Sequence, residues 1–244
     1  MTDIPFFDKI PAGRFLNAWE NHSETPELDR IALSPTILSE DGHEIPLRSQ
    51  VSIRYAHFLY HLVKLFRPDH ILEIGMANGI SSAFIASAHR IYAKEGQVSA
   101  HIIIDPFQSS DWKGAGRALL SRLQLDAHVD IMEDYSVHAI SALEKQGRLF
   151  DFVFIDGNHS LDYTLADVLL SDLVLRIGGI LTMDDSTDFG VKTAVPYLDK
   201  YRTNLTRIRF DGPTIHWIRE FFNKRRRITV YQKTSRDDRG ADGI

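Results

Sequence analysis

The chain has 244 residues, 43% of them hydrophobic and 25% charged, with a formal net charge of −5 and no cysteine. That length suits one large domain or two small ones, and no tract is biased enough for disorder or a fibre. The absence of cysteine excludes disulfides, thiolate zinc sites, iron–sulfur clusters and cysteine nucleophiles, so any metal must be held by oxygen or imidazole.

The start, Met1-Thr2-Asp3-Ile4-Pro5, has no basic stretch followed by an apolar core, and no run reaches the roughly 18 apolar residues of a membrane span. The expectation is a cytoplasmic protein with no membrane partner. The acidic balance argues against a general nucleic-acid binder, but the charge is uneven: residues 201–233 hold nine Lys/Arg against two acids, and residues 1–200 hold 17 basic and 28 acidic. The run Lys224–Arg227 is the densest part of that excess, and a solvated turn explains it more simply than a phosphate-binding patch.

Residues 1–48 are punctuated by proline and weakly periodic, which predicts a cap or lid. Ser49 is a candidate cap for a helix running through Tyr55, Leu59, Leu62 and Phe66 and stopped by Arg67-Pro68-Asp69. From residue 70 short β-rich runs alternate with helical patterns. Strands are expected near His70–Ile74, Ala100–Asp105, His128–Met132, Phe150–Asp156, Gly179–Asp184, Leu205–Phe210 and Ile228–Gln232, and helices near 80–94, 113–124, 135–146, 161–175 and 190–203. This is the pattern of a doubly wound α/β fold around a mostly parallel seven-stranded sheet. The last two strands have no long helix between them, so they should pair antiparallel. The tail over 234–244 is short and polar, and should fray.

The segment Ile71-Leu72-Glu73-Ile74-Gly75-Met76-Ala77-Asn78-Gly79-Ile80-Ser81-Ser82 runs from a buried strand through a glycine loop into a helix. Glycines there let a ligand approach the backbone, and the helix start offers N–H groups. A dinucleotide fingerprint is not present: Ala77 and Ile80 occupy the places of its second and third glycines, and Asp105 lies 30 residues beyond Gly75. What fits is E-x-G-x-x-x-G followed by an acid at the end of the next strand, which resembles the class I S-adenosylmethionine (SAM)-dependent methyltransferases. The resemblance implies a Rossmann-like methyltransferase domain over 49–233. It implies SAM held by Val51, Glu73, Gly75, Met76, Ala77, Gly79, Ser81 and Asp156, with Asp105 on the ribose hydroxyls and Asp134, Tyr135 and Ser136 near the adenine.

Two further strands finish on acid, in Phe154-Ile155-Asp156-Gly157-Asn158-His159 and Leu181-Thr182-Met183-Asp184-Asp185. Adjacent parallel strands bring their carboxyl ends together, so Asp156, Asp184 and Asp185 should meet beside the glycine loop. Crowded carboxylates repel unless protonated or bridged, and a hard ion such as Mg²⁺ or Mn²⁺ suits them. Taken singly, Asp184 or Asp185 could cap the following helix, Asp156 could merely end a strand, and Asn158 and His159 could be turn residues. Tyr163 and Asp167 read as packing and helix-surface residues.

Asp184 follows Asp156 by 28 residues and His159 follows it by three, a spacing similar to that of the metal-dependent O-methyltransferases. The catechol enzymes carry a lysine at the position of His159 and an asparagine at that of Asp185, whereas those acting on macrolide sugars carry histidine and a second acid, as here. That resemblance spans about residues 50–190. It implies metal ligands Asp156, Asp184 and Asp185, a catalytic base in His159, and a small-molecule hydroxyl acceptor such as a sugar diol, with a catechol as the alternative. A SAM-binding regulatory protein and an RNA methyltransferase using Lys224–Arg227 are the rivals from other classes. A homo-oligomer stays open.

Overall fold

The computed structural model describes residues 9–11, 24–93, 101–211 and 228–237. The basic run Lys224–Arg227, nearly all of the expected cap before residue 24, the stretch after Asp211 and the last seven residues lie outside them. In chain order, β1 (Lys9–Pro11), α1 (Pro26–Ala32) and the hairpin of β2 (Thr36–Leu38) and β3 (Glu44–Pro46) precede α2 (Ile53–Phe66). The cap of α2 is Ser52, whose hydroxyl accepts from the Tyr55 N–H at 3.3 Å. Ser49 sits outside the helix at φ 51°. The sequence offered two serines three residues apart, and the backbone bend at Ser49 hands the capping role to the second.

Strands and helices then alternate: β4 (Ile71–Ile74), α3 (Ile80–Arg90), β5 (His101–Ile104), α4 (Ala115–Arg122), β6 (Val129–Met132), α5 (Ser136–Lys145), β7 (Phe150–Ile155), α6 (Leu161–Val174), β8 (Leu175–Met183) and α7 (Phe189–Tyr201). β9 (Leu205–Arg207), β10 (Arg209–Asp211) and β11 (Thr229–Lys233) follow. The main sheet has seven strands in the order β6-β5-β4-β7-β8-β11-β9, parallel except for β11, which runs antiparallel to β8 and β9. The expected run Leu205–Phe210 breaks at Ile208, and β10 leaves the sheet to pair with β1. β8 begins four residues earlier than the sequence suggests, because its register against β7 shifts between Phe150 and Phe152, and Gly178, at φ 87°, lies in that irregular part.

Alternation along each strand divides the core. Ile71, Ile103, Phe152 and Phe154 face α2, α3 and α4, while Leu72, Ile74, Val153 and Ile155 face α5, α6 and α7. All four residues of β4 and β5 are buried, as strands covered by helices on both faces must be. The strand order reverses at β4, which lies between β5 and β7. A crevice forms there, outside the carboxyl ends of the strands. Among the described residues, no helix is long and apolar enough to cross a membrane.

Candidate active site

Two cavities meet at this crevice. The first, of about 390 Å³, is lined by the glycine loop, Asp105, Phe107, Trp112, Tyr135, Ser136, Asp156, Tyr163 and Asp167, among others. The second, of about 310 Å³, is lined by Ser49, Gln50, Val51, Ser52, Tyr55, Asp156, His159, Asp184 and Asp185. Asp156 belongs to both. A third, smaller space between them touches Val51, Gly75, Met76, Ala77, Ser81 and His159.

The glycine loop passes close to the end of β7. A Cβ on Gly75, at φ 90°, would lie 2.0 Å from the Asp156 carbonyl oxygen, so only glycine fits. Gly79 opens α3 at φ 85°, and a side chain there would press on Gly116 at 2.9 Å. Asp105 fixes the loop from the side. Its Oδ2 accepts from the N–H groups of Met76 (3.0 Å) and Ala77 (2.8 Å) and from the Gln108 side chain (3.2 Å), and its Oδ1 accepts from Phe107 N–H at 2.8 Å. Asp105 therefore spends most of its accepting capacity on the protein, and a ribose would find its remaining lone pair on Oδ1.

Two expected cofactor contacts sit elsewhere. Glu73 is fully buried and lines none of these cavities; it accepts from Ser81 and Ser82 at 2.6 and 3.0 Å and pairs with His101 at 2.9 Å. It points beneath the loop because alternation on β4 turns it towards α3, so it anchors the start of that helix. Asp134 also lies outside the cavities. Its Oδ1 accepts from Tyr135 N–H at 2.7 Å and lies 3.2 Å from His138 Nδ1, at the mouth of α5. Tyr135 and Ser136, the next two residues, do line the first cavity.

The acidic cleft brings Asp156, Asp184 and Asp185 together with His159. Burial, then the charges of Asp184 and Asp185, push the Asp156 carboxyl well above its ordinary range. His159 Nε2 stands 3.7 Å from Asp156 Oδ1 and 3.8 Å from Asp185 Oδ2, too far for direct hydrogen bonds. Neither Asp184 nor Asp185 caps α7, whose N-cap residue is Asp188. Asp185 instead takes φ 45°, a conformation uncommon outside glycine that turns the chain across the cleft. Among the described residues, the acids and histidines whose ligand atoms all lie within 4.8 Å of one another are His159, Asp185 and Asp188. The expected trio of aspartates shares the cleft but is more widely spread. An oxygen-rich, mutually repelling donor set with an imidazole at its edge fits a hard divalent ion.

Residues 72–186 match the family model described as a methyltransferase domain. Over that stretch the chain is similar to methyltransferase domains. An Arabidopsis thaliana protein that carries a caffeoyl-CoA O-methyltransferase name is 26% identical over 141 residues, which is 58% of this chain and 56% of that one. The chain thus aligns with just over half of that relative's length. In overall shape the protein resembles cofactor-bound Rv0187 from MTB, with a TM-score of 0.63 and 17% identity over 89% of this chain and 95% of that one. It also resembles an O-methyltransferase from Bacillus cereus solved with S-adenosylhomocysteine (SAH), with a TM-score of 0.59 and 18% identity over 77% and 84% of the two chains. These likenesses establish the fold.

Three lining residues were not legible as site residues, and neither was Asp188, which groups with His159 and Asp185. Asp167 and Tyr163, read from sequence as packing and helix surface, line the first cavity. The signal was available for Asp167: it falls on the inward stripe Thr164, Asp167, Val168, Ser171 of α6, where an acid is out of place unless it has work to do. Tyr55 was read only as a core position, yet it lines the acidic cleft, and burial followed by Asp184 and Asp156 drives its acidity down. Asp188 gave no pattern beyond a helix start.

Proposed function

We propose that this protein is a SAM-dependent O-methyltransferase that methylates a hydroxyl of a small molecule, a vicinal diol such as a sugar of a natural product, with Mg²⁺ or Mn²⁺ in the acidic cleft. The observation that carries the reading is the position of Asp156, which lines both cavities. A cofactor against the glycine loop and an acceptor in the acidic cleft would therefore meet across one residue. The neighbour solved with SAH and the methyltransferase-domain match support the choice of cofactor.

The donor set for the ion is Asp156, Asp184 and Asp185. When bound, a divalent cation supplies Lewis acidity and a template for two neighbouring oxygens. The chain's own residues do the rest. The aromatic wall of Phe107 and Tyr135, whose rings meet edge to face at 6.1 Å, shields one side of the first cavity and holds a planar group there. Asp105 keeps Met76 and Ala77 in place, so the loop presents a fixed surface to the cofactor. SAM, held by the glycine loop and Asp105, would supply an electrophilic methyl group for the acceptor oxygen and would leave as the neutral thioether SAH. His159, partly exposed at 31% and edged by two carboxylates, takes the hydroxyl proton. The tight grouping of His159 with Asp185 and Asp188 favours a second reading, in which His159 binds the ion rather than the proton.

Transfer of a labelled methyl group from SAM to paired panels of sugar diols and catechols tests the reading. Preferential labelling of sugar diols is expected. A catechol preference would move the acceptor class to aromatic diols, and SAH binding with no turnover of either panel would leave a regulatory binder.

A further inference from the structure

α6 turns polar residues inward and leucines outward. Thr164, Asp167, Ser171 and Asp172 are each at most 2% exposed, while Leu169 and Leu173 are 38% and 60% exposed and Leu165 is half-buried. A helix covering a sheet ordinarily does the reverse. Here the inward side chains are tied down. Asp172 is bound by Arg202, by Asn204 Nδ2 at 3.0 Å and by Lys233 Nζ at 3.1 Å, and Asp167 accepts from the Ser136 hydroxyl of α5. Rotating the helix to bury the leucines would break these ties and drive Val168 and Val174 out of the core. The leucines can therefore be covered only from outside.

Leu165, Leu169 and Leu173 form one i, i+4, i+8 row, about 12 Å long at 1.5 Å per residue. Exposed Ile177 extends it, and exposed Tyr197 and Tyr201 flank it from α7, whose Asp199 faces the other way, to Arg207 and Tyr231 at the sheet edge. An apolar surface of this kind marks a contact. The internal segments outside the described residues start and end elsewhere. Residues 12–23 lead to Glu24, which is bound to Tyr60 and Lys64 of α2 on the opposite face of the sheet, and 94–100 join α3 to β5. Residues 212–227 leave β10 and return at β11, on the far side of α7, which packs against both α6 and β9. The row is also self-complementary about Leu169: Leu165 and Leu173 stand four residues to either side of it, and Asp162 and Arg176 seven, and the charged residues between those two, Asp167 and Asp172, are both buried. We propose that the outer face of α6 is the interface with a second copy of this chain, packed antiparallel about a two-fold axis at Leu169. Leu169 then meets its own copy, Leu165 of one chain meets Leu173 of the other, and Asp162 comes beside Arg176. Asp151 accepts from Arg176 Nη1 at 2.8 Å, and the guanidinium carries further donors. Such a contact is isologous, apolar at its centre and charge-paired at its rim.

The test is analytical ultracentrifugation of the full chain across a dilution series. The wild type should sediment as a dimer, and Leu169→Lys, which sets two ammonium groups against each other at the axis, should raise the dissociation constant at least about a hundredfold. The register is read by crosslinking, since the chain has no cysteine to compete. Leu169→Cys should form a disulfide-linked dimer on air oxidation, and Leu165→Cys mixed with Leu173→Cys should give the mixed dimer. Leu33→Cys, just after α1 and 69% exposed, should stay uncrosslinked. Wild-type protein that is monomeric throughout, or a dimer that Leu169→Lys leaves intact and Leu169→Cys does not link, overturns the proposal. Monomeric protein that floats with phosphatidylcholine vesicles, when Leu169→Lys does not, also overturns it and gives the face to a lipid surface. Where Leu169→Lys fails to fold, the crosslink at residue 169 decides.

Discussion

The backbone of Gly75 packs so closely on Asp156 that a Cβ at residue 75 would stand 2.0 Å from the Asp156 carbonyl oxygen. This contact joins the end of β4 to the end of β7 and sets the wall between the two cavities. Gly75→Ala must either push β7 away or distort the loop at a φ that side chains avoid. We expect a loss of more than about 2 kcal/mol in stability by urea denaturation, with SAH binding lost in whatever protein folds. A variant of wild-type stability and affinity would show that the loop moves freely against Asp156.

Asp105 holds the loop, and its proposed contact to a ribose is separable from that role. Because its carboxylate holds the Met76 and Ala77 N–H groups, Asp105→Ala should loosen the empty loop as well as weaken cofactor binding. We expect a stability loss of about 1–3 kcal/mol, the cost of leaving buried donors unpaired, and faster amide exchange at Met76 and Ala77. Weakened SAH binding with unchanged stability and exchange would assign the residue to the ribose alone.

Asp167 makes stability depend on pH in a definite direction. Its folded value is about 6 against an ordinary 3.8, so between those values the folded state binds more protons than the unfolded state. Stability from this group therefore falls as pH rises from about 4 to about 6, and the full penalty is present above that. Asp167→Asn removes the charge. Its advantage over wild type should grow from nearly nothing at pH 4 to at most about 3 kcal/mol at pH 7, the two-unit shift converted to energy. Denaturation of both proteins across this range checks the sign; an advantage independent of pH would contradict it.

His159 distinguishes two chemistries. As a general base, its replacement by alanine should lower turnover by about 10²–10⁴ while Mn²⁺ affinity stays close to wild type. As a ligand grouped with Asp185 and Asp188, its loss should weaken Mn²⁺ binding about tenfold or more, and turnover should recover at high metal concentration. Titration with Mn²⁺, followed by paramagnetic resonance, separates the two.

Much of this architecture was legible in the sequence because it follows from periodicity. Buried β-rich runs ending in glycine or acid, alternating with helical stretches, left few arrangements for the sheet, and parallel strands had to bring Asp156, Asp184 and Asp185 to one edge. Orientation was harder. Glu73 matches a cofactor motif, but alternation on β4 turns it under the loop to Ser81 and His101. Asp134 sits one residue too early to enter the cavity that Tyr135 and Ser136 reach. Asp167 was masked by its polarity, since an acid on a helix is ordinarily taken as surface until packing shows which face it shares. Tyr55 was masked by the opposite property: an aromatic residue on an apolar helical stripe reads as core whether or not its hydroxyl opens into a cleft.

Methyl transfer to a diol beside a divalent ion can be followed in a single assay. Chelator-treated protein is assayed for transfer of labelled methyl from SAM to the best sugar diol acceptor, before and after Mg²⁺ is restored, alongside Asp156→Asn and Asp184→Asn. We expect negligible turnover without the ion, recovery with it, and at least about a hundredfold loss in both variants even though SAH still binds. Full turnover in the chelated protein, or near-normal rates in the two variants, would contradict it and return the three aspartates to structural roles.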